Sequence, residues 1–95
     1  MALLDGIGAY VRCTAVETLG ELEPVALAQH GAALVARLED SNEYVRWAAV
    51  RTLGKLEPAA LAQHGAALAA RLEDDDGEVQ LAARVVMHKL EPAAG

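Results

Sequence analysis

Apolar residues recur at intervals of three and four along most of the chain. Such spacing places one apolar stripe along an α-helix, whereas a half-buried strand would alternate apolar and polar residues. The spacing is clearest after Pro24 and again after Asn42. It predicts no strands, residues 1–4 as the end of one helix, and further helices over 9–20, 24–38, 42–55, 58–72 and 76–90.

Residues with strong positional preferences mark the expected helix ends. Pro24 and Pro58 suit the first turn of a helix, where the missing N–H would have had no partner. Asn42 is a good N-cap residue. Asp75 and Glu78 have the spacing of a capping box before the last helix.

One long segment occurs twice. LEPVALAQHGAALVARLED at 22–40 returns as LEPAALAQHGAALAARLED at 56–74, which sets a period of 34 residues. Between 19–52 and 53–86, 22 of the 34 aligned pairs are identical. Such a period is typical of stacked helical repeats, in which each unit packs only on its neighbours. We therefore expect a single repeat domain over 1–95, with a partial unit 1–20, full units 21–54 and 55–88, and the start of another at 89–95.

The segment LEDSNEYVRWAAVRTLGKL at 38–56 resembles the HEAT repeat, in particular the short HEAT-like variety of phycobilisome-lyase-type proteins. The residues that carry the resemblance are Asp40, Val45, Arg46, Ala49, Leu53 and Gly54. The resemblance covers essentially the whole chain. Together with the 34-residue period, it implies an all-α fold, a right-handed α-solenoid of antiparallel helix pairs with about two and a half repeats.

The resemblance also implies a hydrogen-bonded ladder of Asp and Arg side chains between stacked repeats. Its positions in this chain are Arg12, Asp40, Arg46 and Asp74. The Asp position of the first unit is Gly6, and the Arg position of the last unit is Gln80. The ladder is therefore expected to weaken toward both ends.

HEAT-like proteins mostly present an extended helical surface to other proteins. The resemblance thus implies a non-enzymatic protein–protein interaction scaffold, expected to be a fragment of a longer repeat protein. Two alternatives stay open: an accessory protein of the bilin-lyase or chaperone type, and a purely structural repeat segment.

Composition narrows the partners and the compartment. The chain is 54% hydrophobic without any Phe, and its formal net charge is −6. A phosphate backbone would be repelled, so nucleic acid is not an expected partner. No apolar run reaches the length of a membrane span. The one cysteine, Cys13, cannot form an internal disulfide, which favours the cytoplasm.

A stripe on the second helix of each unit is the candidate partner-binding surface. Its positions differ between units while the core face is kept, as expected where the scaffold is constant and the exposed stripe varies. The alternative is that Trp47 simply packs over a neighbouring helix. The stripe comprises Cys13, Val16, Glu43, Trp47, Val50, Arg51, Leu81, Arg84 and His88.

Gly31, after His30, is expected to kink the 24–38 helix, because a mid-helix Gly costs about 1 kcal/mol.

The sequence gives little support for a catalytic or metal-binding site. His30 and His64 recur at the repeat period without further ligands, so a capping or inter-helix hydrogen bond is expected rather than zinc. The acidic run at 73–78 lacks the spacing of a calcium loop. Cys13 has no base nearby in sequence, so we expect no catalytic, cofactor or metal site.

The ends of the array suggest self-association. Short solenoids need polar capping units, and neither end of this sequence reads as one. Apolar residues are expected to lack cover at both ends, so we expect a homodimer joined through a terminal helix, with end-to-end stacking as the other possibility. These residues are Val11, Ala15 and Leu19 near the start, and Leu81, Val85, Val86 and Leu90 near the end.

Overall fold

The structure, a computed structural model, describes residues 8–90, and these residues are helical without strands. The α-helices are α1 (Ala9–Leu19), α2 (Pro24–Ala28), α3 (Gly31–Arg37), α4 (Glu43–Leu53), α5 (Pro58–Ala62), α6 (Gly65–Ala70) and α7 (Gly77–Met87). Short 3₁₀ turns follow α6 at Arg71–Glu73 and α7 at His88–Leu90. The predicted all-α solenoid architecture is confirmed, while the right-handed sense of the stack and the number of repeats stay predictions. The predicted helix at 1–4 lies outside the described residues.

Two helices predicted as continuous are each broken in the middle. His30 leaves helical geometry with φ −105° and ψ 15°, so that α2 ends and α3 begins with His30 as its N-cap residue. His64 does the same between α5 and α6. The expected kink is therefore a break. Of the two roles expected for the histidines, side-chain capping is wrong, because neither side chain caps its helix, and the inter-helix hydrogen bond stays a prediction.

The helices form two layers that repeat every 34 residues. In one layer α4 lies between α1 and α7 and packs on both. In the other, α3 packs on α4 and α6 packs on α7. Leucines of the second layer meet small and β-branched residues of the first, because close approach of helices requires small side chains at the contact. Fully buried core residues include Leu27, Leu34, Leu53, Leu61, Leu68, Val45, Ala49, Val79 and Ala83.

Side-chain caps begin α4 and α7, two helices of the first layer. The Asn42 carboxamide oxygen accepts hydrogen bonds from the N–H groups of Tyr44 and Val45 at the start of α4. Asp76 does the same for the two equivalent residues at the start of α7. The predicted pairing of Asp75 with Glu78 is wrong, because the cap is one residue later, at the position that the 34-residue period makes equivalent to Asn42.

Gly54, at the end of α4, allows α7 to approach closely. A Cβ placed on Gly54 would lie 2.8 Å from Cγ2 of Val86, which is 5% exposed. The expectation that Val86 lacks cover is therefore wrong, since the end of α4 covers it. Leu90 is half-buried and lies near Gly65.

We expect Gly54→Ala to lower the free energy of unfolding by about 1–3 kcal/mol, because Val86 is β-branched and has little freedom to move away. Gly77→Ala is the control. A Cβ on Gly77 would meet nothing within 4 Å, so this change should stabilise the chain by about 0.4–1 kcal/mol. Urea denaturation measures both. Equal midpoints for the two variants would contradict the close packing at Gly54.

Candidate functional site

One face of the first layer carries exposed apolar side chains. Because α1, α4 and α7 lie side by side at the repeat period, equivalent residues form rows across them. The row of Cys13, Trp47 and Leu81 runs through the middle of this face. Tyr10, Tyr44, Leu81 and Val85 are 83%, 66%, 53% and 58% exposed, respectively.

Trp47 is where three shallow depressions of this face meet. The first, of about 380 Å³, lies between α1 and α4 and is lined by Tyr10, Cys13 and Tyr44. The second, of about 300 Å³, lies near the N-terminal ends of α4 and α7. The third, of about 380 Å³, lies between α4 and α7 and includes Leu81. The indole thus packs against the core and also lines all three openings. We name this face the Trp47 surface; it comprises Tyr10, Cys13, Glu43, Tyr44, Trp47, Arg51, Glu78, Leu81 and Val85.

The Arg51 guanidinium stacks on the indole ring of Trp47. Its central carbon lies 4.7 Å from the centroid of the Trp47 ring, a distance at which a cation is attracted to the ring face. Both side chains line the depression between α4 and α7. The stacked pair therefore offers a partner an aromatic edge and a cation together.

Two residues of the predicted stripe do not belong to this surface. Val16 is 1% exposed and Val50 is 0% exposed, and both lie in the core. The prediction that they are exposed is wrong, because a position three residues after Trp47 turns toward the flank of the helix, where the next helix packs. Arg84, the equivalent residue on α7, is exposed, as is His88.

The predicted stripe omitted Tyr10 and Tyr44, and Val85 was expected only as an uncovered residue near the end of the array. The two tyrosines occupy the same position of the repeat, in the YVR motif. The exposure of Tyr44 was detectable from helical spacing, because it lies one residue before Val45, which faces the core.

The two ends of the surface carry opposite charges. Glu43, Asp76 and Glu78 lie near the N-terminal ends of α4 and α7. Arg51, Lys55 and Lys89 lie near the C-terminal ends. This order suits the helix dipoles, which favour anions at the N-terminus and cations at the C-terminus. Two of these cations are also tied to the preceding repeat. The Lys55 ammonium donates to the carbonyl of Gly20, and that of Lys89 donates to the carbonyl of Gly54.

A separate polar ladder joins the repeats at the loops before α4 and α7. Arg12 donates from Nε and Nη2 to the two carboxylate oxygens of Asp40, at 2.8 Å each. Arg46 donates in the same way to Asp74, at 2.9 and 3.0 Å. Such two-pronged pairing is the strongest geometry for an Arg–carboxylate pair. The Arg12–Asp40 and Arg46–Asp74 positions that the resemblance implied are thus in contact.

Gln80 changes the ladder at α7. Arg46 also donates to the backbone carbonyl of Asp40 in its own unit, at 2.9 Å. Gln80 makes the equivalent contact to the carbonyl of Asp74. A neutral amide retains this contact within the unit, but it has no guanidinium with which to reach a carboxylate of a further unit. The position of Gly6 lies outside the described residues.

The two ladder carboxylates are buried and strongly bonded. Asp40 also accepts from Arg37 and from the N–H of Asn42, and Asp74 accepts likewise from Arg71 and Asp76. Burial by itself would raise the pKa of each Asp. The hydrogen bonds and positive charges outweigh it, so the pKa of both carboxyls is lowered.

Acid should therefore destabilise the chain through Asp40 and Asp74. Because their pKa is lower in the folded state than the value of about 3.9 for an unfolded Asp, their stabilisation is complete above that value. It is lost as the pH falls through the folded-state pKa. Urea denaturation between about pH 6 and pH 2.5 measures this loss. The double variant Asp40→Asn/Asp74→Asn should depend less on pH in this range; an equal dependence would contradict the assignment.

The remaining titratable candidates do not form a reactive centre. Burial raises the pKa of the Cys13 thiol, and the carboxylate of Glu17, 3.8 Å from the sulfur, raises it further. His30 is exposed, whereas His64 lies against Gly31, where an added Cβ would be 2.7 Å from its Nε2. Over residues 8–90, no group of three or more His, Cys, Asp or Glu side chains could hold a metal ion.

Within the same described residues, no helix has the length and apolar character needed to cross a membrane.

A search of curated proteins and a search of solved structures each gave no significant match. A family model described as HEAT repeats matches residues 2–87. The matched range includes the ladder and the helices of the Trp47 surface. With its period, its stacked helices and this match over most of its length, the chain belongs to the HEAT repeat family.

Proposed function

We propose that this chain is a non-enzymatic scaffold that binds another protein through the Trp47 surface. The observation that carries the proposal is the position of Trp47, half-buried where three depressions meet and flanked by exposed apolar side chains. HEAT repeats are generally protein-interaction scaffolds. Exposed apolar patches with polar surroundings mark interaction sites.

The residue types of the surface support the same function. Tryptophan, tyrosine and arginine are enriched among the residues that contribute most to binding between proteins. Trp47, Tyr44 and Arg51 lie on one helix, and Tyr10 lies on the adjacent one. Their side chains project from helices held by the core, so little conformational entropy is lost on binding.

The non-enzymatic part of the proposal is supported by the environment of Cys13. A nucleophilic cysteine needs a lowered pKa, because the thiolate is the reactive form. Burial and the neighbouring Glu17 change the pKa of Cys13 in the opposite direction. This thiol is therefore suited to packing.

The net charge of −6 continues to favour a protein over a nucleic acid as the partner, and we place the scaffold in the cytoplasm. The phycobilisome-lyase-type subgroup stays a prediction.

Affinity capture from extracts of the source cells tests the proposal, with the purified chain and two variants as bait. Trp47→Ala should lose the captured partner, since removing a central anchor costs about 2 kcal/mol or more, a roughly 30-fold loss of affinity. Val25→Ala is the matched control, because Val25 is 77% exposed but lies on α2 in the other layer. It should retain the partner. The same captured proteins with both variants would contradict the proposal.

A further inference from the structure

We propose that a second copy of this chain, lying in the opposite direction, occupies the half of the Trp47 surface between α4 and α7. This rests on the proposed function, because it takes the Trp47 surface to be an interface. It commits that half of the surface to self-association. The expected homodimer would then form through a helical face rather than through an uncovered end.

The groove between α4 and α7 has three zones. Its first zone, at the helix N-terminal ends, is acidic and contains Glu43, Asp76 and Glu78. Its middle is apolar. Its last zone, at the C-terminal ends, is basic and contains Arg51, Lys55 and Lys89. α4 and α7 each have 11 residues and are about 16 Å long, and the acidic and basic zones lie at their opposite ends.

This order of charges is complementary to itself. A two-fold rotation about an axis perpendicular to the helices turns one copy end for end over the other. Each acidic zone then faces a basic zone, twice in the same interface, as in an isologous pair. The distance between the acidic and basic zones is the same in both copies, because both copies carry the same two helices. A foreign segment would need the same charges at the same separation, whereas a second copy already has them.

The apolar middle of the groove lies near the proposed axis. Leu81 and Val85 are 53% and 58% exposed there, beside the indole of Trp47. Burial of these side chains against their own copies would remove apolar area from water. Each chain carries a net charge of −6, but repulsion between distant charges is screened beyond about 8 Å at 0.15 M salt. The local pairing of opposite charges therefore decides the orientation.

The outward flank of α7 is less suited to association. At the repeat position where Val16 and Val50 are buried, α7 carries the exposed Arg84. His88 occupies the same repeat position as Gly54. Gly54 allows Val86 to pack closely, whereas His88 is exposed. The exposed apolar residues of α7 face the groove instead.

Sedimentation equilibrium with complementary charge reversals tests the second copy. At about 10–100 µM the wild-type chain should approach twice its mass of 10.0 kDa. Glu43→Lys/Glu78→Lys makes both zones basic, and Arg51→Glu/Lys55→Glu makes both zones acidic. Each variant alone should be monomeric. An equimolar mixture should recover the doubled mass, because the acidic groove of one variant then faces the basic groove of the other.

Two controls keep the result interpretable. Glu23→Lys/Glu57→Lys changes the net charge by the same amount as the first variant, but its exposed residues lie before α2 and α5 in the other layer. It should remain dimeric. Lys55 donates to the carbonyl of Gly20, so circular dichroism must show that the acidic variant is folded. If it is unfolded, Arg51→Glu/Lys89→Glu replaces it, because two reversals among the three cations still leave that zone acidic.

Three outcomes would overturn the second copy: a monomeric wild-type chain, a dimer that survives both reversals, or a mixture that stays monomeric. The proposed function fails separately. A monomeric chain that loses its captured partner on Trp47→Ala would leave the scaffold standing with a foreign partner in the groove. A dimer broken by both reversals and restored by mixing supports the second copy whatever the extract contains.

Discussion

Arg46→Ala should lower the free energy of unfolding by about 3–5 kcal/mol, as expected when one partner of a buried ion pair is removed. The Arg46 side chain is 11% exposed and that of Asp74 is 2% exposed. Without the guanidinium, the Asp74 carboxylate loses two hydrogen bonds, and the carbonyls of Asp40 and Ser41 lose their Arg46 donor. A domain of this size has a total stability of about 5–15 kcal/mol. The variant should therefore lose a large part of it.

Arg84→Ala is the control for Arg46→Ala. Arg84 is exposed on α7, so its removal should change stability by no more than about 0.5 kcal/mol. Urea midpoints of the two variants and of the wild type make the comparison, with the m-value as a check on two-state unfolding. If both variants lost equally little, the ladder would be a solvated surface contact that contributes nothing measurable.

Leu38→Ala should cost about 2–5 kcal/mol, whereas Leu72→Ala should cost about 1 kcal/mol. The two leucines are separated by one period and lie in the same local sequence, ARLED. Leu38 is 1% exposed but Leu72 is 39% exposed. The backbone at Leu38 also accepts a hydrogen bond from Arg71 of the following repeat, at 3.2 Å. The next unit thus covers the first leucine.

The pair isolates tertiary packing from helix propensity. Any effect of Ala on the local helix is nearly the same at both positions, because the neighbouring residues are the same. The difference between the two urea midpoints therefore measures what the following repeat contributes at Leu38. Equal midpoint shifts would contradict the greater burial of Leu38.

Much of the fold could be predicted from local pattern. Pro24 and Pro58 begin their helices as expected, and Asn42 caps α4. The core positions of α4 were correct from helical spacing. The break at His30 was expected only as a kink, and the break at His64 was not predicted. The ring of His64 lies against Gly31, which joins residues that are distant in sequence, and helical periodicity carries no information on such contacts.

The candidate site was predictable in part. Trp47, Arg51, Leu81 and Glu43 lie on the surface that the repeat pattern indicated, whereas Val16 and Val50 do not. Differences between the repeats show which positions tolerate different residues. They do not show whether such a position is exposed or packs against the next helix. Val50 and Arg84 are equivalent in sequence, and only the presence of a helix beside α4 makes one of them core.

The sequence by itself determined the helical class, the period of 34 and the starts of α2, α4 and α5, because these depend on dihedral preferences, caps and spacing within a few residues. The tertiary structure alone decided how equivalent residues differ. Leu38 and Leu72 share a local sequence but not an environment. Arg46 bonds to a carboxylate 28 residues away, whereas Gln80 donates to the carbonyl of Asp74 in its own unit. In a stacked array each unit obtains part of its cover from its neighbour. Burial at a given position is therefore a property of the pair of units and not of the segment that is repeated.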